Sequence, residues 1–109
     1  MKIFNLIILL LFIVITKNTK SNTINIGINS QYKKISTALL NAISGDTLIV
    51  NGGFYKEGNI VIDKSIVMIG KNNPILDGDR KFEVMSIKAN YVSISGFRIQ
   101  HSSLSLIHI

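Results

Sequence analysis

After residue 45 the sequence consists of short β-branched runs separated by glycine, asparagine and aspartate turns. Apolar positions recur along these runs: Ile60 and Ile62 return as Met85 and Ile87, and Ile66, Met68 and Gly70 as Val92, Ile94 and Gly96. A period of about 25 residues with three short strands per period is typical of a parallel β-helix. We therefore predict an all-β fold, a right-handed parallel β-helix, with its first two to three coils in this chain.

Alternation within the short strands predicts which side chains face the interior of the cylinder. The expected inward positions are all apolar: Ile60, Ile62, Ile66, Met68, Met85, Ile87, Val92 and Ile94. Gly70 and Gly96 fall where a strand ends, and we expect them at bends that need an unhindered backbone.

Residues 32–44 carry the one helical pattern of the sequence. The apolar stripe has helical spacing and consists of Ile35, Leu39, Ala42 and Ile43. Ser36 is the expected N-cap, and Gly45 the expected left-handed residue that ends the helix. Three turns of helix are marginal alone in water. We therefore assign residues 22–45 to a linker strand and a helix that caps the first coil.

The N-terminus has the pattern of an export signal. Lys2 precedes a run from Ile3 to Ile15 that only Asn5 interrupts. Thirteen helical residues span about 20 Å, short of the roughly 30 Å hydrocarbon core of a membrane. We predict a signal peptide over residues 1–21, with Thr19-x-Ser21 as a small-x-small cleavage pattern, and a periplasmic or extracellular mature protein. An uncleaved anchor is the alternative.

Length and composition narrow the functional classes. A chain of 109 residues allows one domain, and the lack of cysteine excludes disulfides, thiolate zinc sites and thiol nucleophiles. Removal of the signal peptide takes away three lysines and lowers the formal net charge from +6 to +3. Five of the remaining lysines stand singly among strands and turns, which indicates a solvated surface rather than a nucleic-acid-binding face: Lys56, Lys64, Lys71, Lys81 and Lys88.

Residues 46–109 form the start of the predicted β-helix and hold roughly two and a half coils, whereas a solenoid needs about three repeats and two caps. Residues 104–109 do not begin a further coil at the expected phase. We therefore expect a β-helix truncated at its C-terminus, the beginning of a longer protein.

Several segments together resemble the NosD family, the periplasmic copper-handling maturation proteins of nitrous oxide reductase. The resembling segments are YKKISTAL at 32–39 with Ala42, GDTLIV at 45–50, GFYKE at 53–57, IVIDKSI at 60–66, MIG at 68–70, PILDG at 74–78 and VSISGFRI at 92–99. The resemblance implies a right-handed β-helix of the carbohydrate-binding and sugar-hydrolysis type. It also implies copper as the metal, with an ABC-type transporter and nitrous oxide reductase as partners.

Few residues offer chemistry of their own. Asp77 and Asp79 would form a carboxylate pair for sugar hydrolysis or calcium, but Asp-Gly is also an ordinary turn, which we favour. Asp46 is expected to order the corner between helix and strand. No nucleophile elbow, phosphate-binding glycine loop or zinc-ligand pair is present in the sequence, so we assign no catalytic or cofactor-binding residue.

Metal and sugar binding each have a candidate residue set. Met68, Met85 and His101 would bind copper if they converged, although core packing for the methionines and a surface position for the histidine are favoured. The metal site is left unassigned. A sugar-stacking platform would draw on the aromatic residues, for which packing at corners is the favoured alternative: Tyr32, Phe54, Tyr55, Tyr91 and Phe97.

We therefore expect an exported, non-catalytic β-helix protein of the copper-maturation type. One alternative is a polysaccharide-active lyase, hydrolase or epimerase of the pectin-lyase-like group, and another is a cell-surface adhesin or structural solenoid. Outward acidic and basic clusters on further coils would favour the enzyme, and loops rich in Met and His would favour copper handling.

Overall fold

A computed structural model describes residues 20–102 and 107–108. Nearly all of the expected signal peptide, residues 1–21, lies outside these described residues, as does most of the closing stretch after residue 102. Among the described residues, no helix is long and apolar enough to span a bilayer.

Ten short strands and one helix make up the described chain. In chain order they are β1 (Thr23–Ile26), α1 (Ile35–Asn41), β2 (Thr47–Val50), β3 (Phe54–Tyr55), β4 (Ile60–Ile62), β5 (Val67–Gly70), β6 (Ile75–Asp77), β7 (Met85–Ile87), β8 (Ser93–Ser95), β9 (Arg98–Gln100) and β10 (Ile107–His108).

These strands form three parallel sheets. Sheet 1 has the order β1-β2-β5-β8, sheet 2 has β4-β7-β10 and sheet 3 has β3-β6-β9. From β2 onward, successive strands along the chain belong to different sheets, and all pairings between neighbouring strands of a sheet are parallel. The protein is therefore a parallel β-solenoid of about three turns, as its sequence predicts. The right hand of the coil stays a prediction.

The register predicted from the apolar repeat is confirmed. Met68 pairs with Ile94, and Ile60 with Met85, which are the correspondences read from the sequence. The step is shorter between the first two turns of sheet 1, where Leu48 pairs with Met68. The strands stack in register while the loops between them vary in length, so the period is not constant.

The interior contains the predicted apolar columns. Ile60, Ile62, Ile66, Met68 and Met85 are buried in one hydrophobic core with residues of β1, β2 and α1. The other three predicted inward residues are half-buried and pack against the same core: Ile87, Val92 and Ile94. These three belong to β7 and the third turn, toward the end of the described solenoid.

The helix is shorter than predicted, and its N-cap and C-cap are not the residues expected. α1 begins at Ile35 and ends at Asn41, so Ser36 lies inside it, and the N-cap position belongs to Lys34 without a side-chain cap. Gly45 has φ +97° but lies beyond the helix, whose C-cap Ala42 is extended. Ile43 is therefore off the helix and 47% exposed, whereas the rest of the stripe is buried.

Gly70 and Gly96 lie in the same column of sheet 1, at the predicted bends. A methyl group built on either one would lie well inside van der Waals contact with the carbonyl oxygen of the other. Gly96 also has φ +84°, a left-handed conformation that disfavours any other residue. The two turns can stack this closely because neither position carries a side chain.

Residues 107–108, the described part of the closing stretch, form a further strand, but at a phase other than that of the earlier repeat. Ile107 and His108 form β10 and pair in parallel with Met85 and Ser86. The phase differs from the expected one because the step from Met85 to Ile107 is shorter than the step from Ile60 to Met85 in the same sheet.

Candidate functional site

The outer face of sheet 3 carries an exposed aromatic ring and a guanidinium group. Tyr55 and Leu76 are buried in the core. Strand alternation therefore turns Phe54 and its in-register partners Ile75 and Arg98 outward. Phe54 is 57% exposed. An aromatic ring and a guanidinium thus stand two turns apart on one face.

Asp77 is the centre of a hydrogen-bond network at the end of this face. Its side chain is 2% exposed and accepts hydrogen bonds from Gln100 Nε2 at 3.0 Å and from the Asp79 backbone N–H at 2.6 Å. His101 Nδ1 lies 2.9 Å from the same carboxylate. The hydrogen bond from Gln100, helped by those from Asp79 and His101, outweighs desolvation and lowers the pKa of Asp77 to about 2.

The turn after β6 is held by left-handed backbone and by two lysines. Asp79 has φ +53°, and its carboxylate lies 3.3 Å from Lys56 Nζ and 3.9 Å from Lys81 Nζ. Asp77 and Asp79 therefore have separate partners, one buried and one on the surface. This favours the turn interpretation of Asp-Gly-Asp over a shared carboxylate site.

The proposed copper donors do not form one site. Met68 in sheet 1 and Met85 in sheet 2 are fully buried in the apolar core. His101 follows sheet 3, and its Nδ1 is engaged by Asp77. Within the described part of the chain, no three His, Cys, Asp or Glu side chains are grouped to hold a metal. The donor set therefore does not fit copper here.

The five aromatic candidates do not form one platform either. Tyr55 is buried and donates to the Asn51 carbonyl at 2.7 Å, and its burial and the nearby Glu57 raise its pKa. Tyr32 and Phe97 pack against the core. Tyr91 is 93% exposed but precedes β8 of sheet 1. Phe54 alone of the five is exposed on sheet 3.

Two other buried polar side chains serve the scaffold. Asp46 accepts the backbone N–H groups of Asn22 at 2.8 Å and Ile43 at 2.9 Å, so it orders the corner between helix and strand as expected. The Ser86 hydroxyl exchanges hydrogen bonds of 2.9 and 3.1 Å with the Asn59 amide one turn away. Neither side chain is left as an unpartnered reactive group.

Sequence reasoning missed the contacts that hold α1. Glu57 binds its N-terminus and Lys64 binds its C-terminal carbonyls, so Lys64 is not the solvated surface residue expected. Lys56 and Lys81 pair with Asp79 but lie on the surface as expected, with side chains 51% and 72% exposed. Glu57 precedes β4 and Lys64 follows it. This spacing indicates contacts to the two ends of α1 only when the helix is already known to lie beside β4.

Comparisons with family models, with curated proteins and with solved structures give no match to this chain.

Proposed function

We propose that this chain is an exported, non-catalytic solenoid scaffold, working as the NosD-like proteins do with an ABC-type transporter in the copper maturation of nitrous oxide reductase. The resembling segments supply the cap helix, the corner at Asp46 and the stacked strands. The proposal thus rests on a whole architecture rather than on one motif.

The scaffold role is supported by the buried polar side chains, which form hydrogen bonds within the chain. Asp46, Asp77 and Ser86 are buried, and each has its hydrogen bonds within the chain. Groups that would act on a substrate instead join one turn to the next. A role in holding partners in place fits this use better than catalysis does.

Copper enters this proposal only through the partners. Because the buried methionines and His101 do not converge, no copper-transfer step is assigned to residues of this chain. What the chain contributes is a rigid surface on which the transporter and the reductase would be brought together.

Deletion of the gene in the organism that carries it tests the proposal. We expect nitrous oxide to accumulate and the isolated reductase to lose its copper, measured by gas chromatography and by metal analysis, and a plasmid copy to restore both. A reductase with its full copper content in the deletion strain would contradict the proposal. The absence of nitrous oxide reductase from the organism would contradict it as well.

A second candidate, polysaccharide recognition, is favoured by the outer face of sheet 3. Phe54 offers an exposed apolar ring, and Arg98 and Lys56 offer donors to hydroxyl or carboxylate oxygens. Aromatic rings and charged donors together suit a sugar chain laid across the stacked strands.

Affinity electrophoresis in gels containing pectin or other polysaccharides tests this candidate. Phe54→Ala should abolish the retardation, whereas Phe82→Ala is the matched control, because Phe82 is 45% exposed but lies outside the strands of sheet 3. Equal loss in both variants, or no retardation of the parent chain, would contradict polysaccharide binding at this face.

A further inference from the structure

Among the described residues, the first strand of sheet 1 has one edge that is unpaired over most of its length. The carbonyl groups of Asn22 and Ile26 accept hydrogen bonds from Thr47 at 2.9 Å and from Asn51 at 2.8 Å. In a parallel ladder alternate residues bond to the same neighbour, so the N–H and C=O groups of Thr23 and Asn25 face away from β2. Within residues 20–102 no backbone hydrogen bond reaches them on that side.

In the described part of the chain, this edge is closed at its far end alone. Gly27 N donates to the Tyr32 carbonyl at 2.9 Å, and Ile26 forms a parallel bridge with Tyr32. The edge is thus already used for parallel pairing at one position. Before Tyr32 the chain forms a loop, and no described residue pairs with the backbone of Thr23 or Asn25 on this edge.

A groove of about 770 Å³ lies along the open edge. Its lining side chains are mostly amides and hydroxyls with two isoleucines, among them Asn25, Asn29, Gln31, Asn41, Ile24 and Ile43. Asp46 is the one charged residue of this lining, and it is buried with both carboxylate oxygens hydrogen-bonded. An ionic side chain entering the groove would therefore meet no free charge of opposite sign.

We propose that this edge is a strand-docking site, which takes an extended segment of a partner polypeptide as a further parallel strand beside β1. Unpaired main-chain groups in an open groove favour a strand as the occupant. The segment would alternate apolar residues, packed toward Ile24 and Ile43, with uncharged polar ones, because a charge buried there would be unpaired. The proposal is independent of the copper and polysaccharide functions.

Amide hydrogen exchange of the full chain tests the site. The probe is the capped peptide NTINIG, the sequence of residues 22–27, whose isoleucines would align with Ile24 and Ile26 in parallel register. In the free chain the Thr23 and Asn25 amides should exchange faster than those of Ile24 and Ile26. A probe at ten times its Kd should slow the Thr23 and Asn25 amides about tenfold, since only the free fraction exchanges.

Two variants separate main-chain from side-chain recognition. Asn25→Pro removes an edge N–H that faces away from β2 and should abolish probe binding, whereas Asn25→Ala keeps that N–H and should bind as the parent does. A probe N-methylated on the edge facing β1 should fail to bind, and one methylated on the opposite edge should bind, even if Asn25→Pro does not fold.

Three results would overturn the proposal. One is equal loss of binding in Asn25→Pro and Asn25→Ala, or equal binding of both methylated probes, which would indicate side-chain recognition of another ligand class. Another is protection of the Thr23 and Asn25 amides before any probe is added, which would mean that the chain's own residues occupy the edge. The third is no slowing of exchange at millimolar probe.

Discussion

Glu57 and Lys64 lie on either side of β4 and hold opposite ends of α1. The Glu57 carboxylate accepts the backbone N–H groups of Ile35 at 2.8 Å and Ser36 at 3.0 Å, together with the Ser36 hydroxyl at 2.8 Å. Lys64 Nζ donates to the carbonyls of Leu39 and Ala42, both at 2.6 Å. A negative charge at the N-terminus and a positive one at the C-terminus also match the helix dipole.

Removal of the Glu57 carboxylate should loosen the cap. Glu57→Ala leaves two helix N–H groups without their acceptor, and we expect it to lower the free energy of unfolding by about 1 kcal/mol, as loss of an N-cap does. Urea titration of the full chain, followed by far-UV circular dichroism, measures this. Asp63→Ala is the control, because Asp63 is exposed and its carboxylate accepts no hydrogen bond within residues 20–102. Equal effects of the two would contradict the capping role.

Lys64→Met keeps the apolar stem and removes the ammonium group, and it should cost about 1–2 kcal/mol because three carbonyls lose a charged donor. Lys71→Met, at an exposed position with no side-chain hydrogen bond among the described residues, should cost far less. The double variant Glu57→Ala, Lys64→Met should cost less than the sum of the single ones, because α1 detaches once either end is freed. Strict additivity in urea titration would show that the two ends act independently.

The helix shows where local sequence reasoning stops. The stripe of Ile35 and Leu39 with Ala42 correctly identifies the apolar face, because burial against the first turn depends on helical spacing. The ends were misplaced, since the capping groups come from Glu57 and Lys64, which belong to a later part of the chain. Ser36 and Gly45 have suitable chemistry for caps, but a partner from another turn decides the ends.

The close approach of Gly70 and Gly96 predicts that Gly96→Ala lowers the stability of the chain more than Gly58→Ala does. Gly96→Ala combines a left-handed backbone with a collision against the Gly70 carbonyl, and it should destabilise the chain by about 2–4 kcal/mol. Gly58→Ala has φ +77° but open space around the new methyl group, so about 1 kcal/mol is expected. Thermal unfolding of both variants measures the difference. Equal shifts in Tm would mean that the two turns do not approach as closely as described.

Asp77 predicts an acid-sensitive part of the stability. Its pKa of about 2 lies below the ordinary value of 3.8, so its ionised form is favoured in the folded chain. That contribution is fully present above pH 4 and is lost as the pH falls through 2. The difference in urea midpoint between the parent and Asp77→Asn should therefore shrink between pH 4 and pH 2. Asp63→Asn should stay close to the parent throughout, and a constant difference for Asp77→Asn would contradict the network.

The register of the last turns could be predicted, but the network on sheet 3 could not. The correspondence of Met68 with Ile94 is visible because inward positions must be apolar on every turn. In sheet 3, Leu76 of β6 pairs with Ile99 of β9, which is a shorter step along the chain than the period of the apolar positions. Asp77 and His101 come together because of this shorter step. Outward positions tolerate many residue types, so their sequence carries no comparable signal.

The most direct test of the stacked solenoid is site-directed disulfide formation, since the chain has no cysteine of its own. Val67 and Ser93 are exposed and directly opposite on adjacent turns, so their Cα atoms lie about 4.8 Å apart, within disulfide reach. Val67→Cys with Ser95→Cys is the matched control, a diagonal pair about 8 Å apart. Under mild oxidation we expect a cross-link in the Val67–Ser93 pair and not in the control. A cross-link in the control alone, or in neither, would contradict the stacking of these two turns.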